Sequence, residues 1–260
     1  MLCGVSDNGH PEMYGLGLRL AFYLQWLGLT VIEYMDESAL APVRLIGLAL
    51  STSAFLGLLL QAPAGNLSPA EAYLVFLLAA STYIYVIPIY MWKTVTRFDS
   101  HWDPFQCTAE QPSPIFKVLD FILMLALSCV GVWYWCAYVT DGRLTCAAYG
   151  FFFSPVLIKN KAFIAFNALI WLTVLLASVA TLLLRARQEL DIFTERKKRS
   201  RRAKSRHKVT IQAAKLLSNI IVTSVLIAAS ELTVSWNKLP RANSMSTVAQ
   251  IAPHSSLPGS

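Results

Sequence analysis

Charged residues are scarce in this sequence, and their scarcity excludes an ordinary soluble domain. Only 14% of the 260 residues are charged, whereas 55% are hydrophobic. Soluble domains carry about a quarter charged residues. The mean hydropathy of +0.51 leaves too little polar surface to cover a globular core. The composition therefore predicts an integral membrane protein.

The motifs of soluble enzymes are absent from the sequence as well. It contains no phosphate-binding glycine loop, nucleophile elbow, HExxH zinc motif or EF-hand loop. Its five cysteines form no CxxC pair and no cysteine–histidine spacing that suits zinc. We therefore expect neither a metal site nor a cofactor, and the lack of an ATP motif argues against a self-contained pump.

Long apolar blocks are the main feature that the sequence does contain. About 20 apolar residues span the ~30 Å hydrocarbon core as a helix, because each residue rises about 1.5 Å. Backbone groups in lipid must be satisfied within their own segment, which favours helices. The sequence therefore predicts an all-α transmembrane helix bundle of about six spans. The predicted spans are residues 16–35, 43–60, 70–92, 116–138, 162–184 and 213–236.

One basic segment separates the five-span bundle of residues 16–184 from the sixth span at residues 213–236. Residues 185–208 hold eleven of the 22 lysines and arginines. Positive charge beside a span marks the cytoplasmic side, so residues 185–212 are predicted to form a cytosolic loop. The cations of the loop between spans four and five oppose this orientation. The basic residues expected at the membrane surface are Arg196, Lys197, Lys198, Arg199, Arg201, Arg202, Lys204, Arg206 and Lys208.

The simplest interpretation of this loop is contact with lipid. Juxtamembrane lysines and arginines gain about 1 kcal/mol each beside anionic cytoplasmic lipid. A loop tethered between two spans is poorly suited to scanning DNA, and residues 194–208 contain no Phe, Tyr or Trp for base stacking. We therefore expect the lipid bilayer as partner and no nucleic acid. The predicted flanks are an exoplasmic N-terminal segment, residues 1–15, and a disordered polar tail, residues 237–260.

The predicted topology places three cysteines and one glycosylation sequon on the exoplasmic side. Disulfides can form there, and a Cys136–Cys146 bond would close a short loop. A Cys3–Cys146 bond would instead hold the N-terminal segment, and free thiols are the remaining alternative. The sequon at Asn66 permits glycosylation, although Pro69 and the nearby membrane disfavour it.

Four ionisable residues stand out among those within the predicted spans, where such groups are costly and usually paired. Arg19 and Glu231 lie near the outer ends of spans one and six, so an ion pair between them would dock these spans together. Arg19 could instead extend its guanidinium to the outer headgroups. Glu33 and Asp120 lie near the inner ends of spans one and four, where solvation would stabilise them. Lys117 lies one turn from Asp120 on the same helical face.

Three stretches of the sequence resemble one family. Residues 13–26 (MYGLGLRLAFYLQW) resemble the YGLGIRLGFYLQW-type first span of uncharacterised fungal multi-span membrane proteins. Residues 146–158 (CAAYGFFFSPVLI) and 231–253 (ELTVSWNKLPRANSMSTVAQIAP) resemble a Cys-x-x-Tyr-Gly-Phe-x-Phe loop and an ELTIxWN…STGQLIP region of that family. The resemblance implies a fungal origin and a membrane location, without a particular activity. A further span follows in that family, so this chain is expected to lack a seventh span or to derive from a truncated gene.

Two function classes are compatible with these observations. The first is a non-enzymatic scaffold, transport-accessory, receptor-like or channel-like protein of the plasma membrane or an internal membrane. The second is an intramembrane terpene-cyclase-like enzyme of secondary metabolism, with a carboxylic acid as proton donor and aromatic faces that stabilise cations. Two acids on one aromatic-lined cavity would favour the enzyme, and acids at both interfaces the scaffold. The candidate acids are Glu33, Asp120 and Glu231, and the candidate aromatic residues are Trp26, Tyr134 and Trp135.

Overall fold

Helices make up most of the chain that the structure, a computed structural model, describes. The described residues are 11–35, 39–62, 67–85, 88, 113–140, 148–152, 154–191 and 208–239. Their helices are α1 (Pro11–Tyr14), α2 (Leu16–Met35), α3 (Leu40–Gln61), α4 (Pro69–Ile84), α5 (Pro114–Trp133), α6 (Lys161–Asp191) and α7 (Lys208–Asn237). A π-helical turn (Tyr134–Tyr138) continues α5, and two short strands, β1 (Tyr149–Phe151) and β2 (Pro155–Leu157), precede α6.

Four helices are long and apolar enough to cross a membrane, judged by length and composition. They cover Leu40–Gln61, Ile115–Tyr138, Lys161–Ala180 and Ala213–Asn237, and they correspond to the predicted spans two, four, five and six. The helical architecture is therefore confirmed, and four of the predicted spans form helices with the length and composition that a span requires.

The first and third predicted spans are helices that do not meet the same criterion. The first forms α2, which has 20 residues but whose Arg19, Gln25 and Glu33 reduce its apolar character. The third forms α4, which has only 16 residues, or about 24 Å at about 1.5 Å per residue. Most of residues 86–92, its predicted continuation, lie outside the described part of the chain. The total of six spans stays a prediction.

Helix α4 lies at the centre of the fold. It contacts α1, α3, α5, α7 and β1, and twelve of its 16 residues are buried. Its start is well defined, because the Ser68 hydroxyl accepts the Glu71 N–H while the Glu71 carboxylate accepts the Ser68 N–H, and Pro69 occupies the first turn. A sequence that is apolar on all sides becomes a central helix, because every face then packs against a neighbour.

Helices α4 and α5 run antiparallel, and tyrosine hydroxyls join them at both ends. Tyr134 donates to the Pro69 carbonyl at the start of α4, over 2.9 Å. Tyr83, near the end of α4, donates to the Asp120 carbonyl near the start of α5, also over 2.9 Å. The end of α5 therefore lies beside the start of α4.

Helices α2 and α7 are also antiparallel, and their ion pairs define the two ends of the bundle. Arg19 meets Glu231 at one end, which we call the Glu231 end. Glu33 meets Lys215 at the other, which we call the Glu33 end. The chain alternates between these ends, so that α3, α5 and α7 all begin at the Glu33 end.

A β-hairpin at the Glu231 end was not among the sequence-based expectations. Strands β1 and β2 pair antiparallel, with Tyr149 opposite Leu157 and Phe151 opposite Pro155. The Asn237 side chain at the end of α7 holds this hairpin, accepting from the Tyr149 N–H at 2.8 Å and donating to the Tyr149 carbonyl at 2.7 Å. Strands of three residues are too short to show a period-two pattern.

Apolar side chains cover much of the outer surface, while polar side chains lie inside. Leu24, Leu60 and Leu176 are 70%, 77% and 61% exposed, whereas Arg19 and Ser81 are fully buried. Large exposed apolar surfaces mark contact with a membrane or a partner. This distribution is the one that an integral membrane protein requires.

Both helices that border the basic segment extend into it. Helix α6 continues to Asp191 and α7 begins at Lys208, so the ends of residues 185–212 are helical. Residues 192–207, with the basic side chains from Arg196 to Arg206, lie outside the described residues. The N-terminal residues 1–10 and the predicted tail from residue 240 onwards lie outside them as well.

Candidate functional site

The polar contact between α2 and α7 at the Glu231 end is built around Arg19. Its Nη1 lies 2.6 Å from Glu231 Oε1, and its side chain is completely buried whereas that of Glu231 is 44% exposed. The guanidinium therefore does not extend to solvent or headgroups. The structure places it against the acid that depth in the membrane suggested as its partner.

Tyr23 completes this contact one helical turn further along α2. Its hydroxyl donates to Glu231 Oε1 over 2.8 Å and lies 2.6 Å from Ser230 Oγ. One carboxylate oxygen of Glu231 thus receives a charged donor and a phenolic donor. The cluster therefore joins α2 to α7 at this end and contributes to their register.

Glu33 anchors the second polar contact between α2 and α7, at the Glu33 end. Its Oε1 bonds Lys215 Nζ, and its Oε2 accepts from Asn219 Nδ2 over 2.6 Å. Arg44 of α3 approaches the same Oε1 to 3.6 Å. Solvation alone therefore does not account for Glu33, since three side chains from two helices surround it.

Sequence reasoning missed Lys215, Asn219 and Arg44 as the partners of Glu33. The signal was present, because Lys215 lies at the inner end of span six, at the depth of Glu33. Asn219 follows one turn later on the same face. Opposite charges at equal depth on two spans suggested the Arg19–Glu231 contact, and the same comparison would have suggested this one.

Asp120 has a tyrosine neighbour rather than a lysine neighbour. Its Oδ1 accepts from the Tyr83 hydroxyl over 3.2 Å, and the same hydroxyl donates to its carbonyl. Within the described residues no ion pair joins Asp120 to Lys117, which is exposed. The one-turn pairing considered from the sequence is therefore not formed.

The candidate aromatic residue Trp26 packs between α2 and α4. Its Nε1 donates to Ser81 Oγ over 3.2 Å, and its ring lies 5.5 Å from that of Tyr23 and 5.9 Å from that of Phe22. All of these are ordinary interhelical contacts of a buried indole.

Tyr134 and Trp135 belong to a second aromatic cluster, at the Glu231 end. Tyr134 stacks on Phe76 with centroids 5.8 Å apart, and Trp135 lies 6.1 Å from Tyr73 and 5.3 Å from Phe163. Tyr134 and Trp135 lie next to each other in the π-helical turn. Such a turn contains one extra residue, and both rings face α4. Such turns occur frequently at functional sites.

Glu71 is a buried acid that the sequence analysis did not single out, although it lies at the start of predicted span three. It is 2% exposed, and its Oε2 accepts the Ser68 N–H over 2.7 Å. Within the described residues, Oε1 of Glu71 and Nε1 of Trp135 are buried without a hydrogen-bond partner. The capping-box pattern Ser68-x-x-Glu71 was the signal that could have identified it.

The described residues include only some of the positions that are predicted to carry exoplasmic modifications. Cys136 is an exposed free thiol, while Cys146 and Cys3, its predicted alternatives, lie outside the described residues. Asn66 lies outside them too. The sequon's serine, Ser68, caps α4, and Leu67 is 3% exposed, so the residues after Asn66 are built into the bundle.

No family model, curated protein or solved structure matches this chain. In the described part of the chain, no cluster of three His, Cys, Asp or Glu could hold a metal ion. The fold and its polar contacts therefore define a class only: a helical membrane protein whose buried polar groups join its helices.

Proposed function

We propose that this chain is a multi-pass integral membrane protein with a non-enzymatic role as a scaffold, transport-accessory or channel-like protein. The observation that carries this proposal is the separation of the candidate acids. Glu231 lies at one end of the bundle, and Glu33 and Asp120 lie at the other. An acid catalyst must present its proton to a substrate, whereas these carboxylates face side chains that hold the helices together.

The resemblance to fungal multi-span proteins supports a fungal membrane as its location, either the plasma membrane or an internal membrane. The basic loop supports an orientation with residues 192–207 in the cytosol and the Glu231 end outside. In this orientation the loop contacts anionic cytoplasmic lipid and presents charge to a cytosolic protein partner.

Loss of the gene in the native host tests the non-enzymatic role. We expect an untargeted metabolite profile that is unchanged by the deletion. Accumulation of an uncyclised prenylated precursor, with loss of its cyclised product, would contradict the proposal. Complementation with the wild-type gene and with Glu33→Gln, Asp120→Asn and Glu231→Gln variants would then show which acid acts.

The intramembrane cyclase is the second candidate, and Glu71 is the observation that favours it. Its buried carboxylate has one oxygen without a partner in the described residues and belongs to α4, the helix that carries Tyr73 and Phe76 of the aromatic cluster. On this reading a Glu71→Gln variant accumulates the precursor although the protein reaches normal levels. A Ser68→Ala variant is the matched control, since it weakens the same helix start but keeps the acid.

A further inference from the structure

We propose that a cleft at the Glu33 end, between the first turns of α3 and α5, binds the headgroup of an anionic phospholipid. This inference deepens the proposed membrane location and rests on it. The cleft has a volume of about 220 Å³ and is partly open to the outside of the bundle. Its lining residues are Leu40, Ala41, Pro42, Arg44, Leu45, Ser113 and Phe116.

The walls of the cleft are apolar, and its polar groups are concentrated at two positions. Leu45 is 54% exposed and Phe116 is half-buried, so they offer a surface on which an acyl chain can lie. Arg44 supplies a guanidinium, and Ser113 supplies a hydroxyl. A lipid has this combination of an anionic phosphate and an apolar chain.

Arg44 also contacts Glu33 of α2. Its Nη2 lies 3.6 Å from Glu33 Oε1, and its side chain remains 29% exposed. Lys215 bonds the same carboxylate oxygen, so Glu33 serves two cations and does not neutralise both. The fork of an arginine can then donate to phosphate oxygens with its remaining N–H groups.

The described charges at this end are favourable to an anion. Among the side chains that the structure describes at this end, Arg44, Lys117 and Lys215 are cations and Glu33 and Asp120 are carboxylates. Asp36 and Glu37, which precede α3, lie outside the described residues. The N-termini of α3 and α5 add partial positive charge, because their first N–H groups lack helical acceptors. The cleft thus combines positive charge with apolar walls. The anionic phosphate of a phospholipid is complementary to the charge, and its acyl chain is complementary to the walls.

The Ser113 hydroxyl can serve a ligand while it caps α5. Its Oγ accepts the Phe116 N–H over 3.3 Å. A serine hydroxyl also carries one donor, which a phosphate oxygen can accept. The headgroup would thus meet Arg44 from α3 and Ser113 from α5, and would join the two helices.

The position of the cleft along the membrane normal agrees with a headgroup. Helix α6 ends and α7 begins at this same end, so the basic loop of residues 192–207 connects them here. In the proposed orientation this is the cytoplasmic surface, where anionic lipids are concentrated and basic pockets between helices bind their headgroups.

The test is lipid binding by the full-length chain purified in detergent. Phosphatidylglycerol and phosphatidylcholine with identical acyl chains are added, and both the melting temperature and the lipid-bound mass are recorded. We expect phosphatidylglycerol alone to raise the melting temperature and to give a one-lipid adduct. An Arg44→Gln variant should bind it at least about tenfold more weakly, as the loss of a charge-assisted hydrogen bond implies.

Matched variants distinguish lipid binding in the cleft from lipid binding at the basic loop and from a nonspecific effect of positive charge. Lys161→Gln removes one exposed cation at the Glu231 end and should bind phosphatidylglycerol normally. Leu45→Trp fills the cleft without changing charge and should abolish the adduct. Neutralising the loop at Arg196, Lys197, Lys198 and Arg199 should leave it intact.

Three results would overturn the lipid site. They are equal stabilisation by phosphatidylcholine, loss of the adduct only in the loop variant, and normal binding by both Arg44→Gln and Leu45→Trp. Failure of the proposed membrane location would be seen separately, as a chain that stays soluble without detergent.

Discussion

At the scale of single residues, the bundle is joined by polar side chains that lie in apolar surroundings. A fully buried guanidinium such as that of Arg19 is costly unless a partner compensates it. Glu231 is the partner of Arg19, and Glu33 is the partner of Lys215 at the opposite end of α2 and α7. Each contact links residues about 180 or more positions apart, so each supports the fold rather than local helix formation.

The Arg19–Glu231 pair should be much more sensitive to single than to double replacement. Removing one partner of a fully buried pair costs about 3–5 kcal/mol, because the other charge is left uncompensated, and the cost is smaller here because the Glu231 side chain is 44% exposed. We therefore expect Arg19→Leu to unfold at a clearly lower temperature in detergent, with Arg19→Leu/Glu231→Leu closer to wild type. The exchanged pair Arg19→Glu/Glu231→Arg should recover part of the loss. If neither double variant were more stable than the Arg19→Leu single variant, the pair would have no structural role.

Tyr23 should contribute a smaller, measurable amount. Tyr23→Phe removes the hydroxyl that donates to Glu231 and keeps the ring, which should cost about 1 kcal/mol of unfolding free energy. Tyr34→Phe is the control, because Tyr34 is 69% exposed. Equal melting temperatures for the two variants would show that the Tyr23 hydroxyl does not support the α2–α7 contact.

At the scale of elements, length and apolar composition predicted most helices, and contacts between elements were harder to predict. Blocks of about 20 apolar residues must be helical in lipid, which is why α3, α5, α6 and α7 were found. Helix α4 is described to Ile84, and most of its predicted continuation to residue 92 lies outside the described residues. The π-helical turn and the hairpin depend on packing against α4 and α7, and no local sequence period encodes such packing.

The approach of α5 to α6 depends on a glycine. A Cβ at Gly131 would lie 2.7 Å from the Trp171 ring and 3.0 Å from Phe76, so Gly131→Ala should separate these helices and lower the melting temperature. Overpacking of this kind costs roughly 1–3 kcal/mol. Gly28→Ala is the matched control, because a Cβ there meets nothing within 4 Å and alanine favours the helix. A Gly131→Ala variant as stable as Gly28→Ala would contradict this packing.

At the scale of the whole molecule, the sequence predicted one of the two polar contacts between α2 and α7 and not the other. Depth alone paired Arg19 with Glu231, since few charges lie in the spans. The same argument was not applied to Glu33, because Lys215 was not considered as a partner. Glu71 was missed because the capping box with Ser68 that holds it at the start of α4 was not recognised. Partners that are distant in the chain become neighbours only once the order of the helices is known.

The helices alternate in direction, which places the hairpin and the basic loop on opposite sides of the membrane, with the loop in the cytosol in the proposed orientation. Site-specific thiol labelling tests this arrangement. The five native cysteines are replaced by serine, and Ser154→Cys in the hairpin or Ser205→Cys in the basic loop is introduced. Intact cells are treated with a membrane-impermeant maleimide before and after permeabilisation. The cells used are ones in which the chain reaches the plasma membrane.

We expect Ser154→Cys to be labelled in intact cells and Ser205→Cys to be labelled only after permeabilisation. Labelling of both positions in intact cells would place the hairpin and the loop on one side, which the alternation of α5, α6 and α7 forbids. The reverse order would keep the alternation but contradict the cytosolic placement of the basic loop.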